Sequence, residues 1–283
     1  MTTSVPRRAA ISSSRRVVLS ALFAASASLW GCAAPHASGG AAPPAARQAI
    51  APTGELRVAV YPGSPTSLVE NAAPENMRGI SVDLGRSLAA RLGVPAKIVV
   101  FPRVAEMVAA VQRGDADFTI TNATEERAKL VDFAQPVVDL ELGVLVPQGV
   151  SRITSPASMD QPGATIGVSL GSSSERALAP RLKQAKLRTF PNLDAAAQAL
   201  QRGEIDAFAT NKGILFELSG RVPGSRVLDG RWGEEHVAPA LPKGRPEAGL
   251  AYLRAFTQDV QRSGELDRAA ARAGLRGTIA PAR

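Results

Sequence analysis

The chain has 283 residues, 45% apolar and 20% charged, with a formal charge of +8, one cysteine and two histidines. That length supports one or two domains with a buried core. A single cysteine excludes an internal disulfide framework, and with so few histidines no zinc cluster can be completed.

At the N-terminus, Arg15 and Arg16 precede an uncharged run, Val17 to Trp30, that is too short to span a bilayer comfortably and ends at Gly31-Cys32. This predicts an export signal over residues 1–32. Leu29-Trp30-Gly31-Cys32 resembles the box of bacterial lipoproteins, in which the cysteine is acylated and becomes the mature N-terminus; Trp30 departs from it, since a small residue usually stands there. An ordinary signal cleaved after Ala33 or Ala34 is the alternative. Ser14 to Leu19 also resembles a twin-arginine export signal, although paired arginines serve equally in a general one. Residues 33–53 are Ala, Pro, Gly and Ser with hardly a charge, which predicts a flexible tether. Removing the signal takes Arg7, Arg8, Arg15 and Arg16 with it, and half of the formal charge goes. The remaining basic residues are scattered singly with few aromatics between them, so nucleic acid is not an expected partner.

The folded part opens with an alternating β run, Gly54 to Val60, stopped by Tyr61-Pro62-Gly63-Ser64-Pro65. Ser81 to Leu92 sets Val82, Leu84, Leu88, Ala89 and Leu92 along one helical stripe, closed by Gly93 and Pro95. Lys97 to Phe101 is the next strand. A helix follows with Val104, Met107, Val108 and Val111 at helical spacing, stopped at Gly114, and then a short strand, Phe118 to Thr121, that ends in Thr-Asn. Asn122 or Thr124 can cap a short helix, and Leu142 to Val146 is an apolar strand. Thr165 to Ser169 is another strand. Beyond it, Ser172 followed three residues later by Glu175 is a capping-box pattern, which predicts a helix start with free amides that attract anions.

From Phe190 the chain repeats itself. FPRVAEMVAAVQRGDADFTITN at Phe101 to Asn122 returns as FPNLDAAAQALQRGEIDAFATN at Phe190 to Asn211, with nine identities in 22 ungapped positions. Each copy reads as strand end, helix, glycine stop and strand. Two βαβ units with parallel sheets predict two similar α/β lobes, and a period near 89 residues is too long for a solenoid. Ligands in open parallel sheets sit beyond the carboxyl ends of strands, so the two Thr-Asn tips, with Thr121, Asn122 and Asn211, mark the first place to look for a site. His236 to Leu241 returns as a strand, and helices Glu247 to Ser263 and Glu265 to Ala273 finish the chain.

Catalysis needs a titratable group tuned near working pH, and the chain offers little of that. His36 falls in the tether, and His236 reads as a structural histidine in a strand. Glu234-Glu235-His236 lacks metal-ligand spacing on a helix face, and no Gly-x-Ser-x-Gly accompanies a plausible base. Neither catalytic residues, a metal nor a cofactor is expected.

The order and spacing of Gly54-Glu55-Leu56-Arg57-Val58, Gly79 to Leu84, Gly114-Asp115-Ala116-Asp117, Thr124-Glu125-Glu126-Arg127, Val131 to Pro136, Gly171-Ser172-Ser173-Ser174 and Gly203 to Ala207 resemble the family 3 bacterial extracellular solute-binding proteins. The resemblance implies the type II periplasmic-binding-protein fold, two α/β lobes joined by two crossing hinge strands, with residues 54–147 and 237–283 in one lobe and 148–236 in the other. It implies a monomer that captures a small carboxylate-bearing solute for the permease of an ABC importer. Such a receptor would be extracytoplasmic, in the periplasm, lipid-anchored through Cys32 or soluble, and would touch the membrane through the anchor alone. By the same resemblance Arg127 is the carboxylate clamp, Ser172 and Ser173 meet the carboxylate from the other lobe, and Thr121, Asn122 and Tyr61 face the pocket. The family usually places an aspartate for the ligand's ammonium where this chain has Asn211, and often another acid near Tyr61; here both are absent. The expectation is therefore a preference for acids that lack a free α-amine, or whose amine is masked, over standard amino acids, with Asn211→Asp restoring the counter-charge and Glu70 as the acid that could stand in. A cyclohexadienyl-dehydratase-like enzyme and a sensory receptor on the same fold are the alternatives.

Overall fold

The computed structural model describes residues 42–69, 73–150 and 152–279. The export segment, Cys32, His36, the first part of the tether and Glu70 lie outside the described residues.

The expectation of a flexible tether through Thr53 is corrected by a helix, α1 (Pro44–Ile50), which starts on proline and buries Ala46, Ala49 and Ile50. Low charge and small residues favour disorder, yet alanine is the best helix former, and Ala46, Ala49 and Ile50 fall on one helical face.

The first lobe then runs β1 (Leu56–Val60), α2 (Ile80–Leu92), β2 (Ala96–Val100), α3 (Val104–Arg113) and β3 (Thr119–Asn122). Next come α4 (Glu125–Ala128), β4 (Val131–Phe133) and the long β5 (Val138–Val146). The second lobe repeats the first pattern as β6 (Thr165–Ser169), α5 (Ser173–Leu178), β7 (Lys186–Phe190), α6 (Leu193–Gln201) and β8 (Ala207–Asn211). It continues through α7 (Lys212–Arg221) and β9 (Arg226–Val227) to the second long strand, β10 (Gly233–Pro242), before α8 (Glu247–Arg262) and α9 (Glu265–Arg272).

The sequence repeat is a repeat of topology. β1 pairs in parallel with β2, and its other edge meets the residue before β3 through a parallel bridge, Val58 to Phe118. β6 likewise lies between β7 and β8, both parallel to it. The helices end where predicted, with Gly114 at φ 76° and Gly203 at φ 66°, the left-handed conformation that glycine adopts without a Cβ clash. The repeated aspartate has one task in both lobes. Asp117 Oδ2 accepts from the Arg57 N–H at 3.1 Å, and Asp206 Oδ2 accepts from the Thr165 N–H at 2.8 Å, so each carboxylate ties the turn after the repeat helix to the beginning of its lobe's first strand.

β5 and β10 cross between the lobes. They pair antiparallel from Gly233↔Leu142 to Val237↔Val138; β10 then continues along β3 and β4, and β5 continues along β8. The apolar core is divided accordingly. Leu56, Val58, Leu84 and Leu88 pack with Phe118 and with Leu253, Phe256 and Leu266 of the last two helices, which cover the first lobe. Phe190, Leu200, Phe208 and Leu215 form a core of the second.

Candidate functional site

The tips of β3 and β8 flank the two crossing strands, one on the outer edge of β10 and the other on the outer edge of β5. Asn122 stands opposite Val237 on β10, and Asn211 stands opposite Leu142 on β5. A cleft opens there between the lobes, and every candidate of the folded part borders it: Tyr61, Thr121, Asn122, Arg127, Ser172, Ser173 and Asn211. Lys212, next in sequence, does not; its ammonium pairs with the Glu141 carboxylate on the hinge instead.

Arg127 is set by α4, whose first turn is capped by the Thr124 hydroxyl accepting from the Arg127 N–H at 3.2 Å. The residue is only 4% exposed. Its Nη1 donates to Thr121 Oγ1 at 2.8 Å and to the Asn122 carbonyl at 3.2 Å, which locks the guanidinium plane, while Nε and Nη2 donate to no described residue. Burial pulls its pKa down, opposed by the charge of Glu235. A fixed, desolvated fork with one free edge matches a planar carboxylate through two parallel hydrogen bonds.

Across the cleft, Ser172 caps α5 by accepting from the Glu175 N–H at 3.1 Å, and the Glu175 carboxylate reaches back to the Gly171 N–H at 2.5 Å. The predicted capping pair is present. Its acid, however, closes on the residue before the cap, and the hydroxyl protons of Ser172 and Ser173 are left for the cleft. Tyr61 borders the opposite wall, its backbone N–H donating to Ser67 Oγ at 2.8 Å. Burial raises the Tyr61 phenol, an effect opposed by Ser64.

The expectation that the cleft has no anion is overturned. Glu235 borders it, is 6% exposed, and is the one acid among the described lining residues. Asn211 Nδ2 donates to its Oε1 at 2.7 Å. Burial raises the Glu235 carboxyl, opposed first by Arg127 and then by the Asn211 hydrogen bond. The signal for it was in the sequence as strand parity: side chains alternate along β10, so of Glu234, Glu235 and His236 the middle one must face opposite to its neighbours. Glu234 indeed turns outward to Arg231 at 2.7 Å and His236 to Asp139 at 2.7 Å. Arg103, for which the sequence offers no site signal, also lines the cleft and pairs with Glu106 of α3 at 2.6 Å.

The lobes meet at two glycines. A Cβ on Gly171 would lie 2.6 Å from Ala105 Cβ, and one on Gly63 would lie 2.5 Å from Leu193 Cδ1. Both contacts join one lobe to the other, so the closed cleft requires the missing side chains. Gly171→Ala is expected to weaken solute binding by about 1 to 3 kcal/mol through obstructed closure. Gly203→Ala is its control, with a similar positive φ and nothing within 4 Å of the added carbon. Calorimetric titration of both variants separates closure from backbone strain; equal losses would refute the closure argument.

A sequence profile of the bacterial extracellular solute-binding proteins, family 3, matches residues 56–274. The chain is 25% identical over 181 residues to the ABC transporter glutamine-binding protein GlnH of Bacillus subtilis (strain 168), covering 62% of this chain and 66% of that one. It is 26% identical over 193 residues to the L-cystine-binding protein TcyJ of Escherichia coli (strain K12), covering 67% and 71%. The chain thus spans about two thirds of the length of these relatives. Among solved structures, the ancestral amino acid-binding protein AncCDT-1, a precursor of cyclohexadienyl dehydratase, matches at 28% identity with a TM-score of 0.67, covering 79% of this chain and 96% of that one.

Proposed function

The chain belongs to the bacterial extracellular solute-binding proteins, family 3, and from that premise we propose that it captures a small carboxylate-bearing solute between its lobes and delivers it to the permease of an ABC importer. The observation that carries this reading is the free edge of Arg127. A buried guanidinium with unengaged donors is costly in an empty cleft and gains most from a carboxylate. Thr121 and Asn122 hold that edge in place, and Ser172 and Ser173 supply hydroxyl donors from the second lobe. The two relatives are named for glutamine and L-cystine, which puts amino acids first in any screen.

The test is a thermal-shift screen of purified protein with amino acids, their deaminated counterparts and small peptides. A solute at 100 times its dissociation constant adds about 2.7 kcal/mol to stability, a plain shift of the midpoint. No shift with any carboxylate would overturn the reading. A dehydratase-like reading takes second place, favoured by one observation: Glu235 is a buried carboxyl with a raised pKa, the kind of group acid catalysis uses. Turnover of a prephenate-like acid, followed by ultraviolet absorbance, would move it to first.

The export segment and Cys32 complete the proposal, with a monomeric receptor tethered outside the cytoplasm by an acylated cysteine. Among the described residues no helix is long and apolar enough to cross a membrane. Cys32→Ser is expected to move the protein from the membrane fraction to the soluble one. Wild-type protein recovered as an unlipidated species cleaved after Ala34 would refute the anchor.

A further inference from the structure

We propose that Glu235, held in place by Asn211, is the contact for a cationic group on the bound solute, so that the crossing strand β10 carries the charge discrimination of the cleft. The assignment rests on the carboxylate reading of Arg127 and adds the second pole to it.

Asn211 is the N-cap of α7, and its Oδ1 accepts from the Ile214 N–H at 3.0 Å. With the oxygen committed to the helix, Nδ2 has to point the other way, and it donates to Glu235 Oε1 at 2.7 Å. Both residues are nearly buried, at 5% and 6% exposure. The side chain at the tip of β8 is thus a positioning residue that orients a carboxylate from another strand. An aspartate at position 211 would set a second carboxylate against Glu235 at that distance, so Asn211→Asp is expected to impair binding, the reverse of the sequence expectation.

Arg127 enters the cleft from α4 and Glu235 from β10, yet they form no ion pair within 4 Å among the described contacts, so neither side chain neutralises the other directly. Two buried, opposite, separated charges are complementary to a solute that carries an anionic group and a cationic group at once. A neutral hydroxyl in place of the cation would leave Glu235 buried without a counter-charge. The groups that face Glu235 are Arg127 from α4, Tyr61 from the loop after β1 and Asn211 from β8, while His236, its neighbour in the strand, points the other way and acts on it only through charge. Burial works against its ionised form, which Arg127, the Asn211 hydrogen bond and the charge of His236 favour in that order.

The experiment compares standard L-amino acids with their α-hydroxy counterparts, first against wild type by thermal shift and then by calorimetry against Glu235→Gln, Asn211→Ala and Asn211→Asp. We expect wild type to bind at least one amino acid and to reject its hydroxy analogue by at least about 30-fold, and Glu235→Gln to lose at least about 30-fold on that amino acid. Asn211→Ala should lose less and Asn211→Asp more. Glutamine at 235 can still accept from Asn211 and removes a buried charge, so the melting midpoint of the solute-free variant at neutral pH should equal or exceed that of wild type. A fall in affinity therefore does not come from misfolding. Hydroxy acids binding as tightly as amino acids, or Glu235→Gln binding like wild type, would overturn the assignment while leaving the Arg127 reading in place. If neither series binds, both fall together.

Discussion

Arg127→Ala should weaken solute binding by about 2 to 5 kcal/mol, a loss of roughly 30-fold to several thousand-fold, and leave the fold intact. The size follows from burial. A charge pair formed out of water loses far more on truncation than a surface pair does, because the partner carboxylate is left desolvated with nothing opposite it. Arg127→Lys is expected to recover only part of the loss, since an ammonium is a point charge and cannot present two parallel donors from a fixed plane. Stability moves the other way. Removing a guanidinium that burial already disfavours relieves a desolvation cost, and the lost contacts are to Thr121 Oγ1 and the Asn122 carbonyl. The solute-free midpoint should therefore hold or rise slightly. An alanine variant that keeps wild-type affinity for a solute found by screening would show that Arg127 is not the clamp.

Much of this architecture was legible because two independent signals agreed. In both repeat units the helical spacing of apolar residues stops at a glycine, and a short β-rich run follows, so each unit could be placed from local rules alone. The crossing strands were read only in part. Leu142 to Val146 was plain as an apolar run, but Val138 to Glu141 carries Asp139 and Glu141 on its outer face, where they meet His236, Lys212 and Arg231. Alternation with buried Leu140 and Leu142 was the signal there, and a search for apolar runs passes over it. The helix α1 was hidden for another reason: its stability comes from burial of Ala46, Ala49 and Ile50, with Ala49 set close to Gly249 of α8, a partner two hundred residues away. The cleft shows the same division. Arg127 and Ser172 lie in local patterns that sequence displays, whereas Glu235 faces the cleft only through the parity of β10 and the amide orientation imposed by the cap of α7.

The repeated aspartates test whether shared sequence implies shared energetics. Asp117 is fully buried, and its carboxylate accepts from the Arg57 backbone at 3.1 Å, from Arg57 Nε at 2.7 Å and Nη2 at 2.8 Å, and from Arg245 Nη2 at 2.9 Å. Those partners connect β1, the turn after α3 and the segment after β10, and Arg245 also donates to the Ala49 carbonyl of α1 at 3.1 Å. Asp117→Ala is therefore expected to cost about 3 to 5 kcal/mol, because two arginines whose side chains are no more than 19% exposed lose their counter-charge together. Asp206 keeps the backbone bond to Thr165 but has one arginine partner, Arg152, whose side chain is 43% exposed. Water can replace much of that pair, so Asp206→Ala should cost about 1 to 2 kcal/mol. Urea unfolding of the two variants, with unchanged m-values, measures the difference. Equal losses would mean that the backbone tie to the first strand, common to both lobes, sets the energy and that the arginines around Asp117 add nothing. A larger loss at Asp117 would mean that the duplicated turn has become, in the first lobe alone, the junction that fastens α1 and the segment after β10 to the sheet.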